Sequence, residues 1–473
     1  MSYHFFNKIN LLLIFSILSI STSIAQTGNI RGFIYEKETG EPVIFTNVII
    51  KGTSLGASTD VNGYYQITKV PPGDHVLIVT YLGYDTLTEK VTVRPGEIVN
   101  KKLSITKSSV MLKDVIVSAE RGEFKTEVRT SVAKITPKEI KQVPTIGGEA
   151  DLAQYLQVLP GVIFTGDQGG QLYIRGGSPV QNKVLLDGMI VYNPFHSIGL
   201  FSVFDTDIIR NADIYTGGFG AEYGGRISSI MDIKTKDGNK KRISGKVAAS
   251  TFGMKTLIEG PIFPQKDDNS GGSSSFIFSA KNSYLAQSSR LFYTYADTAG
   301  LPFNFSDYYG KVSLSAANGS KINLFGFNFN DKVKYKAISD LSWKSFGGGS
   351  NFVLVPEGTP MLVEGNFAYS SYLINLTEQD LSPRTSKIDG FNLGLDFTYY
   401  NGDNELKYGL EVLGFETDFK FFNSLNRKIQ QTQNTTEFGT YIKYKIVLDK
   451  FLSLLILMLG LFFGFLLSVV PIG

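Results

Sequence analysis

From Lys240 onward the chain is built from stretches that alternate apolar and polar residues with a period of two, and this alternation limits the fold more than any other feature. Phe391, Leu393, Leu395, Phe397 and Tyr399 share one parity, with Asn392, Gly394, Asp396 and Thr398 on the other. Leu406, Tyr408, Leu410 and Val412 alternate with Lys407, Gly409 and Glu411, and Phe325, Phe327 and Phe329 alternate with Leu324, Gly326, Asn328 and Asn330. Successive side chains of a strand point to opposite faces, so each run makes one apolar and one polar face. Aromatics are 13% of the chain and fall repeatedly on the apolar parity, which suits strands with lipid on one side and a wet lumen on the other. About eight or nine such strands are expected between Gly245 and Val447. Gln265–Ser274 and Tyr293–Ser306 are long and polar, as the outward loops of a barrel are.

Ahead of this region the pattern changes twice. Met1–Ala25 has a short polar start with Lys8 and Asn10, an apolar run Leu11–Ile20, and the small residues of Ser23-Ile24-Ala25, which is the layout of a secretory signal peptide. Residues 26–105 then carry six or seven short strand-like runs: Ile30–Tyr35, Val43–Ile50, Tyr64–Ile67, His75–Tyr81, Lys90–Val93 and Val99–Leu103. Turn clusters such as Asp60-Val61-Asn62-Gly63 and Pro71-Pro72-Gly73-Asp74 separate them, and the spacing predicts an antiparallel sandwich. The order of these motifs resembles the carboxypeptidase-regulatory-like, transthyretin-like domain, which implies no chemistry of its own. Gly52-Thr53-Ser54-Leu55-Gly56 matches the G-x-S-x-G of a hydrolase elbow. A polar turn and another strand follow it where the elbow needs a helix, and His75 and His196 are the only histidines beyond the leader, so Ser54 reads as a turn residue.

Residues 121–238 are turn-rich and mixed. Asp151–Leu159 spaces its apolar residues as a short amphipathic helix and stops at Pro160-Gly161. Beyond it come Arg175-Gly176-Gly177, then Asn182-Lys183-Val184-Leu185-Leu186-Asp187-Gly188, an aromatic loop, and Gly217-Gly218-Phe219-Gly220-Ala221-Glu222-Tyr223-Gly224-Gly225-Arg226. These motifs, in this order over roughly a hundred residues, resemble the plug domain of a TonB-dependent outer-membrane receptor. The fold expected is therefore mostly β: a transthyretin-like sandwich, an α+β plug (121–238) and part of a transmembrane antiparallel barrel (239–449). Arg175, Asp187, Glu222 and Arg226 would lie partly desolvated inside such a barrel and are expected to pair with each other or with its wall, as structural or gating residues. The resemblance implies that outward plug loops help to bind ligand; Tyr192, Asn193, Phe195 and His196 in Tyr192–Leu200 are the candidates. A lone His without a second His or Cys nearby is a poor metal ligand, so packing is the better role for His196. Residues 106–120 form a polar linker ending in Leu112, Lys113, Asp114, Val115, Ile116, Val117, Ser118 and Ala119. This segment resembles the TonB box, which would add a strand to TonB and so couple the receptor to the inner-membrane energising complex.

Net charge is +3 without a polybasic tail, which gives nucleic-acid binding no support. The basic run Lys236–Arg242 reads as a solvated hinge. The chain has no Cys, so disulfides and thiol chemistry are excluded, and no metal or other cofactor is expected. The resemblance implies an outer-membrane location, a small-molecule, chelate, glycan or peptide ligand, and a surface lipoprotein partner. Trp343 is the only Trp, so no sugar-stacking set singles out a ligand class. Residues 450–473 break the pattern: Phe451–Gly473 is uncharged, apolar on every face and long enough for a membrane-spanning helix. Barrels of the resembling class have about 22 strands, so the chain is expected to hold the N-terminal part of a receptor, with the tail arising from a shifted reading frame. The alternative is a membrane-anchored binding module or a non-functional truncated receptor.

Overall fold

The computed structural model describes residues 27–108, 132–145, 148–165, 171–197, 199–266, 271–295, 298, 300–335, 339–378, 382–402, 404–423, 425, 427–447 and, as backbone, 456–467. The expected signal peptide and the Leu112–Ala119 segment lie outside the described residues.

The first body is a two-layer sandwich. Its strands are β1 (Gly28–Glu36), β2 (Asn47–Ile50), β3 (Gly56–Ser58), β4 (Tyr64–Val70), β5 (Gly73–Thr80), β6 (Leu87–Val93) and β7 (Ile98–Ile105). One sheet runs β4-β1-β7 and the other β3-β2-β5-β6. The expectation of an antiparallel sandwich needs one correction, because β1 and β7 pair in parallel, Asn29 against Ile98 through Glu36 against Ile105. The first and last strands of the body lie side by side, and joining them in that sense takes the whole intervening sandwich as the crossover. Ile30, Ile34, Val48, Ile50, Ile67, Leu77, Val79, Val91 and Leu103 fill the core. Ser54 sits in an exposed bend before β3, with a strand and not a helix after it.

The second body is mixed. It contains β8 (Val132–Ile135), α1 (Pro137–Ile140), α2 (Leu152–Leu156), β9 (Val162–Thr165), β10 (Gln171–Ile174), β11 (Asn182–Leu186), β12 (Met189–Ile190), β13 (Ile209–Tyr215) and β14 (Ser229–Thr235). Helix α2 is shorter than its apolar spacing predicts. It starts where the Asp151 carboxylate accepts from Ala153 N at 2.8 Å. Five strands form one sheet in the order β12-β11-β14-β13-β8, with β11 and β14 parallel.

The third body is an antiparallel meander of eleven strands. They are β15 (Ser244–Ala249), β16 (Gly253–Phe263), β17 (Ser273–Ser283), β18 (Phe303–Ser315), β19 (Lys321–Tyr335), β20 (Ser339–Leu354), β21 (Met361–Glu378), β22 (Pro383–Asn401), β23 (Asn404–Phe422), β24 (Lys428–Val447) and β25 (Ile456–Leu467). Helix α3 (Leu285–Phe292) lies between β17 and β18. Ten strands thus cover the stretch where eight or nine were expected. The two long polar loops do not share an end of the sheet: they are consecutive connections, and successive hairpins of a meander turn back at opposite ends. The Gln265 end lies against Lys240 and the sandwich (Gln265 N to Lys240 O, 2.9 Å), and only the loop that contains α3 lies at the other end. The expectation of a helix in the apolar tail is also corrected. Residues 456–467 pair with β24 from Val447 against Ile456 to Thr436 against Leu467. The free edge of β24 offers a row of donors and acceptors, and an extended neighbour satisfies those from Thr436 to Val447.

The meander curls around the mixed body, and this reverses one face assignment. On β19 the buried parity is Lys321, Asn323, Phe325, Phe327, Phe329, Asp331 and Val333, while Ile322 and Leu324 look outward. Alternation alone points these phenylalanines at lipid; they form the inner side. The interior holds protein rather than water, and Phe325, Phe327, Phe329 and Trp343 join one core with Ile135, Leu156, Met189, Phe204 and Ile233. On β22 the expected sense holds, with Phe391 and Tyr399 outward and Asn392 and Thr398 buried. Phe329→Ala is expected to cost about 3–5 kcal/mol, seen as earlier loss of the mixed body's protease resistance in a urea series, while Leu324→Ala stays within about 1 kcal/mol of the parent.

Candidate functional site

The inner wall holds the mixed body at three levels. The middle one centres on Asp187 and Gly188, which join β11 to β12. Both have positive φ, 52° and 90°, so Leu186 and Met189 face each other across a two-residue turn of the primed kind that Asp-Gly favours. The Asp187 carboxylate is buried. It accepts from Thr235 N (3.0 Å), Thr235 Oγ1 (2.6 Å) and Tyr309 Oη (2.5 Å), with Lys311 Nζ at 3.5 Å. Burial pushes this carboxyl up, but Lys311 and the Thr235 and Tyr309 hydroxyls reverse the effect, leaving it below the ordinary carboxylate range. The turn's carbonyls are also caught: Asn351 donates to Asp187 O (3.0 Å), and Asn366 and Asn392 donate to Gly188 O (3.3 and 2.6 Å). Wall glycines make room for the approach, since a Cβ on Gly347 would fall 2.6 Å from Met189 Sδ.

The level farthest from the sandwich centres on His196. The imidazole is fully buried, with Nε2 2.8 Å from Asp307 Oδ2 and Nδ1 3.0 Å from Asp331 Oδ2. Asp331 Oδ2 also accepts from Ser197 N at 2.9 Å. Phe305 stacks on the ring with centroids 3.9 Å apart, and Trp343 lies beyond at 5.7 Å. Burial alone would push His196 down, but the carboxylates of Asp307 and Asp331 outweigh it, so its pKa lies above the ordinary value. A carboxylate faces each ring nitrogen, an arrangement that favours the imidazolium form, in which both nitrogens donate.

The level nearest the sandwich centres on Asp237, which is buried beside Arg210 (2.7 Å), Lys321 (3.1 Å), Lys240 (3.5 Å) and Lys311 (3.7 Å). The Lys236–Arg242 run is therefore not a solvated hinge; Lys240 is 1% exposed. One carboxylate facing four cations draws the stretch inward.

The remaining candidates separate. Glu222 pairs with Lys443 at 3.0 Å, and although burial pushes it up, Lys407 and Lys443 hold it down to about 2. Asn182 donates to Leu172 O (2.7 Å) and accepts from Ser229 Oγ (2.8 Å), which fixes the start of β11. Arg175 and Gly176 both have positive φ and form an exposed turn closed by Gly177 N to Ile174 O at 2.9 Å. Arg226 donates to the carbonyl of its neighbour Gly225. Of the four charges expected to pair, Asp187 and Glu222 reach the wall. In Tyr192–Leu200, Phe195 packs edge-on against Phe164 (4.8 Å) and is buried, as is His196, while Tyr192 and Asn193 are half-buried. Asn193 donates to Tyr372 Oη at 3.3 Å. Among the described residues no group of His, Cys, Asp and Glu has the makings of a metal site.

The wall partners Asp307, Tyr309, Lys311, Asp331, Asn351, Asn366 and Asn392 were not among the sequence candidates. A signal existed: Asp307 and Lys311 share the parity of Phe305 and Tyr309, and Asp331 that of Phe325–Phe329, so each is a charge on an otherwise aromatic face.

A meander whose inner wall carries an α+β body by buried side-chain bonds is a plugged barrel-type sheet. The CarboxypepD_reg-like domain model matches residues 30–117, and the TonB-dependent Receptor Plug Domain model matches 125–229. TonB-dependent receptor SusC of Bacteroides thetaiotaomicron is 29% identical over 245 residues, covering 50% of this chain and 24% of that relative. TonB-dependent receptor P39 of Formosa agariphila is 28% identical over 263 residues, 54% of this chain and 22% of that protein. Among solved structures, a ferric enterobactin receptor mutant from Pseudomonas aeruginosa shares the fold at a TM-score of 0.51 and 13% identity, covering 75% of this chain and 59% of that one. The copper transporter OprC does so at 0.50 and 15%, covering 67% and 53%. The chain thus carries a CarboxypepD_reg-like domain ahead of a TonB-dependent receptor plug domain and is similar to TonB-dependent receptors, the matches covering about a quarter of the curated relatives and little more than half of the solved structures.

Because the His196 pKa is raised, its ion pairs contribute stability that is fully present below the unfolded-state value and lost as pH rises through the folded one. An imidazolium near an indole quenches its fluorescence, and Trp343 is the only Trp. Trp343 emission is therefore expected to rise with a midpoint above the ordinary histidine pKa, and the step is expected to vanish in His196→Gln. A midpoint at or below the ordinary value would mean that the ring is neutral at rest.

Proposed function

We propose that the chain acts in energised uptake across the outer membrane, as the signal peptide, sandwich, TonB box, plug and first wall strands of a receptor. Ligand binds at the end of plug and wall where the loop containing α3 lies, with Tyr192 and Asn193 as the half-buried contacts of the plug loop. TonB takes Leu112–Ala119 as an added strand, with Asp114, Val115, Ile116 and Val117 supplying main-chain donors and acceptors to its sheet edge. Tension on that segment displaces the plug, and the ligand passes into the periplasm.

The observation that supports this most directly is the way the plug is fastened. Its contacts with the wall include discrete buried pairs, Asp187 with Tyr309 and Lys311, and His196 with Asp307 and Asp331. Buried pairs of this kind set register strongly while adding little net stability over apolar packing, which suits a plug that has to be seated and released. The relatives named above are called TonB-dependent receptors, which is the role proposed for this chain.

Deleting Leu112–Ala119 in the intact receptor is expected to abolish uptake of its ligand while equilibrium binding to whole cells is unchanged. Uptake that survived the deletion would remove the segment's assignment as the box.

A further inference from the structure

We infer that the N-terminal sandwich is a removable cap, docked at rest across one end of the plug and wall and lifted for passage. The inference rests on the uptake reading for the lifting step; the resting contact rests on the geometry alone.

Strand β1 is buried on both faces. Ile30 and Ile34 point into the sandwich core, while Arg31, Phe33 and Tyr35, of the opposite parity, point out of it. An outer face of a sandwich that carries Phe33, Tyr35 and Tyr64 is too apolar to face water, and here it does not. These three rings pack with Val353, Val355 and Leu362, and with the partly buried Tyr400, on the wall. Phe33 lies over the β18–β19 turn, where a Cβ on Gly319 would fall 2.1 Å from its ring.

Polar contacts fix the position. Arg31 is 1% exposed, and its guanidinium is divided between the two bodies: Nε donates to Asn100 of the sandwich (2.7 Å), and Nη1 and Nη2 donate to Thr359 O (2.6 Å) and Pro356 O (2.8 Å) in the β20–β21 turn. Asn62 donates to Glu364 Oε1 at 2.9 Å, and Lys102 to Ala316 O at 3.2 Å. The same surface reaches the plug through Glu41, which pairs with Arg210 (3.4 Å) and accepts from Asp237 N (3.3 Å), and through Thr39 O, which accepts from Lys240 N (2.7 Å). One sandwich face thus bridges wall turns and plug together, and it lies directly over Arg210 and Asp237. Several of the acceptors are turn carbonyls rather than charged partners, so opening strands no wall carboxylate beside Arg31; the carbonyls and the guanidinium return to water.

The chain has no native Cys, which makes a paired replacement clean. Asn62→Cys with Glu364→Cys is to be joined by a short reducible thiol cross-linker in whole cells that carry the full-length protein in their outer membrane. A pair of Lys51→Cys with Glu364→Cys, whose first member lies at the exposed β2–β3 turn, serves as control. The expected result is a yield far above the control before ligand is added, a fall in uptake of about tenfold once the link is closed, unchanged ligand binding, and recovery on reduction. A yield equal to the control, or undiminished uptake with the link closed, would overturn the cap. A high yield in a protein that takes up nothing even when unlinked would overturn the uptake reading and make the contact a fixed strut, which also removes the lifting step.

Discussion

A single carboxylate decides how the plug sits. Asp187 stands at a position with positive φ, which a non-glycine residue adopts at a cost, in a turn that carries it into the wall. Unpartnered, it would be a buried charge with nothing to offset its lost hydration. The wall supplies Tyr309 and Lys311, the plug supplies Thr235, and the turn's own carbonyls receive Asn351, Asn366 and Asn392. Any shift of β11 and β12 along the wall would break several of these bonds at once. Gly347, Phe327 and Met189 can interleave closely because this turn has already fixed the register.

Other buried charges repeat the arrangement above and below it. His196 between Asp307 and Asp331 is set apart from Asp187 by aromatic and aliphatic packing, whereas Asp237 among Arg210, Lys240 and Lys321 shares Lys311 with it. The plug is therefore held by a layered interior, with charge pairs providing position and an apolar core that includes Phe325, Phe327, Phe329 and Phe204 providing cohesion.

The sequence made some of this legible because certain steps are local. Asp187-Gly188 is a turn whose geometry two residues dictate, and the alternation on β22 sorts Phe391 and Tyr399 from Asn392 and Thr398 without reference to anything else. Where the outcome depends on what lies across the gap, the same logic fails. Phe325, Phe327 and Phe329 share a face with certainty, but which side of the sheet that face takes depends on whether the interior is water or protein. Lys240 looks solvated until Asp237, Arg210 and the sandwich surround it. His196 looks solitary in the sequence because both of its partners lie more than a hundred residues downstream. Composition assigns the two polar loops to the same end, although the parity of a meander puts consecutive connections at opposite ends. An apolar run has no intrinsic preference between helix and strand, and beside an open edge at β24 it extends.

Strand β8 has a further consequence. It is the outermost strand of the plug sheet, only four residues long, and its first residue, Val132, is paired with Tyr215 while its last, Ile135, is paired with Ala212. A load entering from the residues before Val132 would meet this strand before the other described elements of the plug. Pulled sideways, its rungs separate in succession, and the force needed is that of a single rung; pulled along its axis, they resist together. The mechanical threshold of the plug is thus set by the direction of pull rather than by the strength of its core. Under the uptake proposed above, these four residues at the margin of the sheet would serve as a fuse, the first described strand of the plug to feel the pull.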